Sequence, residues 1–233
     1  ISTASLLTAL AFVPAMNRAV AVFRRLLDQY GPQHWWPAET DFEVIVGALL
    51  MQQTSWRNVV AAIENLRRAG LLDAHRLADA SVGVIRRHVR VAGLYRSKPA
   101  RLTAFSQHLV ERTDADLAKY FQRPTAAARN ALLAQRGVGP ETADSILLYA
   151  GRHAVFVVDA YTIRVGSRLG LFATEDAARV QEYFETQVPR DVRVYQEYHA
   201  LLVQHAKTVC RLLPRCTACP LVRTCAFGRG QRS

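Results

Sequence analysis

Residues 126–149 read AAARNALLAQRGVGPETADSILLY, two apolar stretches joined by Gly137-Val138-Gly139-Pro140. The i, i+3, i+4 spacing on either side predicts a helix over 126–133 and another over 141–149. Two glycines two residues apart permit a tight turn with backbone N–H groups facing outward, and Pro140 has the fixed φ suited to a first helical turn. Such a hairpin can take a phosphate through backbone donors at a helix N-terminus. Taken alone, a Gly-x-Gly-Pro turn also serves as a plain helix connector.

Outward from the hairpin the periodicity stays helical. Val59, Val60, Ile63 and Leu66 share one face of residues 57–69, and Gly70 follows as a stop. Residues 41–51 are apolar almost all round, as in a central buried helix, and Ile1 to Leu27 reads as an N-terminal helical segment. The one strand-like run, His153 to Val158, is too short and isolated to make a sheet. The fold class expected is therefore all-α, without internal repeats, with seams near Pro32 to Pro37, at Pro124 and around Gly151.

Composition narrows the class of partner. In 233 residues, 30 Lys+Arg against 19 Asp+Glu give a formal net charge of +11. Only Lys98, Lys119 and Lys207 are lysines, so the excess is arginine, which binds phosphate and keeps its charge. A polyanion is the partner expected ahead of a basic surface kept for solubility. Half the residues are hydrophobic, which excludes disordered and collagen-like architectures. No apolar run reaches the roughly 18 residues of a membrane span. The longest candidate, Leu6 to Val13, stops at Pro14; a secretory signal is conceivable there, but no basic stretch precedes it and the chain does not begin with Met. The natural N-terminus is expected upstream of Ile1.

All four cysteines, Cys210, Cys216, Cys219 and Cys225, lie in the last 24 residues. Disulfides of a secreted protein would spread out to close long loops, whereas clustering points to a metal. Structural zinc usually takes two Cys-x-x-Cys knuckles and here there is one, so a 4Fe-4S cluster is favoured over zinc or free thiols. The same stretch carries Arg211, Arg215, Arg223, Arg229 and Arg232 and no carboxylate, a basic face for backbone phosphate. Upstream, Asp159 stands between the apolar run Val157-Val158 and a helix starting near Tyr161. It either caps that helix or stands at a cleft edge to stabilise developing positive charge or orient a water, and the two roles are compatible.

Gly137-Val138-Gly139, the aspartate of Val158-Asp159-Ala160 and the terminal four-cysteine loop together resemble the endonuclease III, or helix-hairpin-helix (HhH-GPD), superfamily of DNA glycosylases. Further matches are Phe42-Glu43, Leu49-Leu50-Met51-Gln52-Gln53-Thr54 and Gly93-Leu94-Tyr95-Arg96-Ser97-Lys98. The first cysteine spacing is one residue shorter than the usual family loop. The resemblance implies a six-helix domain over 40–152 bearing the hairpin, and a cluster domain built from 1–39 and 153–233, with a DNA-binding cleft between them. It implies flipping of the damaged base, with Gln53 and Leu94 as wedges and Gly137, Val138 and Gly139 on the backbone of duplex DNA. A monomeric, cytoplasmic, nucleoid-associated enzyme of prokaryotic type, followed by an abasic-site endonuclease, is the expectation.

One position sets the subclass. Bifunctional members carry a Schiff-base lysine two residues beyond the last hairpin glycine, and here that residue is Glu141. A carboxylate cannot form an imine, so a monofunctional glycosylase is expected, with Glu141 either in the pocket or complementing the helix dipole. Adenine glycosylases that act opposite 8-oxoguanine carry a glutamate where this chain has Ala48, so that subclass is disfavoured. The 3-methyladenine glycosylase III branch matches better, in Trp35-Trp36-Pro37, in Trp56 after Gln53-Thr54-Ser55, and in Glu141. That branch implies an N-alkylated purine as substrate, with Trp35, Trp36 and Trp56 as base pocket and Asp159 and Glu141 as catalytic candidates. An endonuclease III-like enzyme acting on oxidised pyrimidines, or a binder of damaged DNA without turnover, stays open.

Overall fold

A computed structural model describes Leu6 and residues 17–230. Of the expected N-terminal helical segment, 18–27 are helical, while 1–5 and 7–16 lie outside the described residues, as does Arg232. Among the described residues every regular element is a helix, and none is long and apolar enough to cross a membrane. The chain divides into two compact units, one continuous over 36–153 and one assembled from 17–35 and 154–230.

The continuous unit holds α2 (Asp41–Leu50), α3 (Trp56–Arg68), α4 (Ala74–Asp79), α5 (Val82–Val89), α6 (Lys98–Thr113), α7 (Leu117–Phe121), α8 (Thr125–Leu133) and α9 (Pro140–Tyr149). Helix α2 starts where the Thr40 hydroxyl accepts from Glu43 N–H at 3.1 Å, and Asp41 and Glu43 complement its dipole. Its Val44 to Leu50 are all buried, and α3, α6 and α9 pack around it. Burying each of these large side chains contributes about 1.5–3 kcal/mol, which makes α2 the axis of the unit. Val60 departs from the expected apolar face: it is 45% exposed, while Ala62 takes the place inward. Pro124 is not a seam but the N-cap of α8, within this unit.

The second unit packs α1 (Arg18–Tyr30) against α11 (Ala177–Gln187) and α12 (Val192–Thr208), with α10 (Ala160–Leu169) on α12 and the short α13 (Ala226–Gly230) on α10. Phe156 and Phe184 stack at 4.2 Å in its core, beside Tyr195 and Tyr198. The apolar run before Asp159 is extended but pairs with no strand. Side chains of α11 satisfy its backbone instead: Phe156 N–H donates to Glu185 Oε1 at 2.9 Å and Gln181 Nε2 donates to Phe156 O at 2.7 Å.

Candidate functional site

The hairpin between α8 and α9 is held by residues remote in sequence. Gly137 has φ +81°, a backbone conformation that favours glycine, and a Cβ there would displace the Arg101 side chain. Gln52 Nε2 donates to Gly137 O at 2.8 Å and to Thr142 Oγ1 at 3.2 Å, and Arg101 donates to Gln52 Oε1. Val138 is buried and its N–H donates to Gln135 O at 3.1 Å. The outward donors are therefore those of the first turn of α9, which a helix leaves without intrahelical carbonyls. Below the turn, Arg129 grips the buried Asp144 carboxylate bidentately at 2.7 and 3.0 Å, tying α8 to α9.

Gln53 and Leu94 share an uncommon geometry. Each is exposed and sits in the left-handed region, with φ of +52° and +44°. A non-glycine residue held there costs on the order of 1–3 kcal/mol, and such strain clusters at functional sites. Gln53 lies in the turn after α2 and Leu94 follows Gly93, itself at +72°. Neither is an ordinary helix-surface or core residue.

The Trp36 ring meets Trp56 edge-on at 5.5 Å and Tyr149 at 5.6 Å. Gly47 of α2 makes room, since a Cβ there would touch Trp36 Cζ2 at 3.0 Å. Trp56 also lines a concavity of about 490 Å³ with Val60 and Arg67, whose guanidinium bonds Glu43 and Glu64 at 2.8 Å each. The carboxylates of Glu43 and Glu64 hold the Arg67 pKa above its ordinary value. Trp35 is half-buried and belongs to the other unit. Glu141 is exposed at the second position of α9, where its charge suits the helix dipole.

Asp159 caps α10, accepting from Thr162 N–H at 2.7 Å, and its other oxygen lies 3.7 Å from His199 Nε2. Burial pushes the carboxyl pKa up, but His199 and the Thr162 donors outweigh it and leave it below the usual range. The group is therefore a carboxylate at neutral pH.

Cys210, Cys216, Cys219 and Cys225 line one cavity, walled by Val165, Leu169 and Val222. Arg168 donates to Cys210 Sγ at 3.6 Å, Gly228 N–H to Cys225 Sγ at 3.3 Å, and His205 Nε2 lies 3.7 Å from Cys219 Sγ. Tyr30 OH is 2.9 Å from His205 Nδ1. Burial pushes the Cys219 thiol up to about 11, and the other three cysteines add to the rise. Among the described residues no three His, Cys, Asp or Glu side chains converge as a single-ion site.

The sequence reading missed Gln52 and Arg101 as braces of the hairpin, Tyr149 behind Trp36, and His199 and His205. His199 lies forty residues from Asp159, and no local pattern marks it. Gln52 was visible only as part of the Gln52-Gln53-Thr54 motif.

A glycine hairpin over an arginine-braced turn and a half-buried, helix-capping aspartate define a helix-hairpin-helix protein, and known relatives agree. A profile of the HhH-GPD superfamily of base excision DNA repair proteins matches residues 46–190. A Methanocaldococcus jannaschii protein named as a DNA repair glycosylase is 44% identical over 208 residues, covering 88% of this chain and 94% of that one. The H. pylori 3-methyladenine DNA glycosylase MagIII, solved bound to 1,N6-ethenoadenine, superposes with a TM-score of 0.72 at 27% identity, over 81% of this chain and 97% of that one. A trapped endonuclease III–DNA covalent intermediate gives 0.79 at 19% identity over 94% and 100%, a likeness of fold. The chain belongs to the HhH-GPD superfamily, as a DNA glycosylase of base excision repair.

Proposed function

We propose that the protein is a monofunctional glycosylase releasing N-alkylated purines from duplex DNA. The observation that carries this reading is Glu141, a carboxylate on α9 where a lyase needs an amine. The three lysines stand elsewhere: Lys98 is buried, Lys119 lies on α7, and Lys207 stands 5.7 Å over the Tyr161 ring. The likeness to the H. pylori enzyme supports the substrate class.

An N-alkylated purine is cationic, so it leaves as a neutral base when the glycosidic bond breaks and takes the bonding pair. No general acid is required, which suits an Asp159 that stays ionised. Its carboxylate stabilises the cationic sugar, water bonds to C1′, and that water's proton is released to solvent. Trp36 and Trp56 attract the cationic ring, worth about 0.5–2 kcal/mol each. Gln53 and Leu94 fill the space the base vacates, and the hairpin takes a phosphate at α9.

The four cysteines suit a 4Fe-4S cluster: four sulfurs on one cavity with apolar walls and donors to sulfur, where a metal core would favour the thiolate form that burial alone opposes. When bound, such a cluster supplies a rigid tie across 210–225. The enzyme acts as a monomer and hands an abasic site to a separate endonuclease.

Base release from methylated duplex DNA, read as strand breakage with and without hot alkali, tests the assignment. Breakage only after alkali, abolished in Asp159→Asn, is expected. Breakage without alkali would overturn the monofunctional reading, and no release under either treatment would overturn the alkylpurine reading.

A further inference from the structure

Lys98 has no part in the chemistry above, yet it is one of the most buried residues of its unit, at 1% exposure. Its ammonium donates to Ala92 O at 2.6 Å. That carbonyl ends the 3-10 segment Arg90–Ala92 and immediately precedes Gly93 and the left-handed Leu94. On the far side of Leu94, the N–H groups of Ser97 and Lys98 both donate to Leu94 O at 3.0 Å, and Gly93 N–H donates to Arg90 O at 3.1 Å. The loop is thus pinned on both flanks of its exposed leucine, and Lys98 supplies a pin to each flank, one from its side chain and one from its backbone.

Two physical points make the side-chain pin informative. A buried ammonium is costly, and an apolar side chain of similar length would fill the same slot more cheaply. A leucine at positive φ relaxes unless its surroundings over-determine it. The charge therefore sits where packing has no use for it and where a strained residue needs holding.

We infer that Lys98 is a positioning residue that holds Leu94 in its projecting conformation before DNA arrives. The inference rests on the proposed wedge role of Leu94. Preformed, the wedge need not be ordered during flipping, so the gain falls on opening of the duplex and not on first contact with it.

The test uses the full chain and a duplex carrying a tetrahydrofuran abasic-site analogue opposite 2-aminopurine, whose fluorescence rises on unstacking. Leu94→Ala, Lys98→Met, Lys98→Gln and the Leu94→Ala/Lys98→Met pair are compared with wild type, with thermal melting recorded for each. Loss of one charge-assisted hydrogen bond should lower the unstacking constant roughly tenfold in Lys98→Met. Its melting temperature should be kept or raised, and Lys98→Gln, which retains a donor, should recover part of the loss. The double variant should be no worse than Leu94→Ala alone. Unchanged unstacking in Lys98→Met, or losses that simply add, would overturn the inference while leaving the wedge intact. Unchanged unstacking in Leu94→Ala would overturn the wedge reading itself, and the inference with it.

Discussion

At Gly137 the backbone and a neighbouring side chain act together. An alanine there would be strained at φ +81° and would also push Arg101 off Gln52. Gly137→Ala should cost about 1–3 kcal/mol in urea unfolding and weaken duplex binding, measured by anisotropy. At Lys98 the burial of charge has a pH signature, since burial, with Arg101 nearby, lowers its pKa from 10.5 to about 8. Between those values the unfolded chain holds a proton that the folded chain has released, so stability rises with pH across that window. The stability difference between Lys98→Met and wild type should therefore shrink by on the order of 3 kcal/mol from pH 8 to 10.5. Denaturant melts of both proteins across that range would show it. A constant difference would mean that the amine is not desolvated.

Among the elements, the α8–α9 pair has the clearest chemical tie. Removing Arg129 would take the bidentate guanidinium off the buried Asp144 carboxylate, so Arg129→Met should cost about 3 kcal/mol. Calorimetry on the variant, with Asp144→Asn/Arg129→Met as the milder control, checks this. Elements of this kind were legible because their signals are local. Asp159 was expected to cap the helix it precedes and does so, and the all-round apolar 41–51 marks the axis. Val60 was misplaced because α3 buries one face only, and that face runs through Val59, Ala62, Ile63 and Leu66 and leaves 60 outside it. The extended run at 155–158 looked like a strand because its partners, Glu185 and Gln181, come from a helix some thirty residues on.

For the whole molecule, motifs gave the site's chemistry but not its supports. Gly137, Asp159, Glu141 and the cysteines announce themselves by residue type and spacing. Arg101, Tyr149, His199 and His205 become meaningful only when the chain brings them alongside, which no spacing encodes. The division into units also sets how loss of the proposed cluster should propagate. Chelation, or Cys219→Ser, should release His205 and Tyr30 and raise hydrogen exchange in α1, α10 and α12. Protection in α2 and α9 should persist, and its loss would show that the units unfold as one.

The second unit draws on both flanks of the first, and this imposes an order in time. A ribosome delivers α1 before any of α10 to α12, so Phe23, Leu26 and Leu27 emerge with no partner to cover them. At 5–20 residues per second the wait for the end of α12 is roughly ten to forty seconds. Throughout that interval residues 36–153 can fold alone while a sticky helix hangs from their leading end. The newborn chain is therefore most in need of a chaperone at α1, long after that helix has left the exit tunnel.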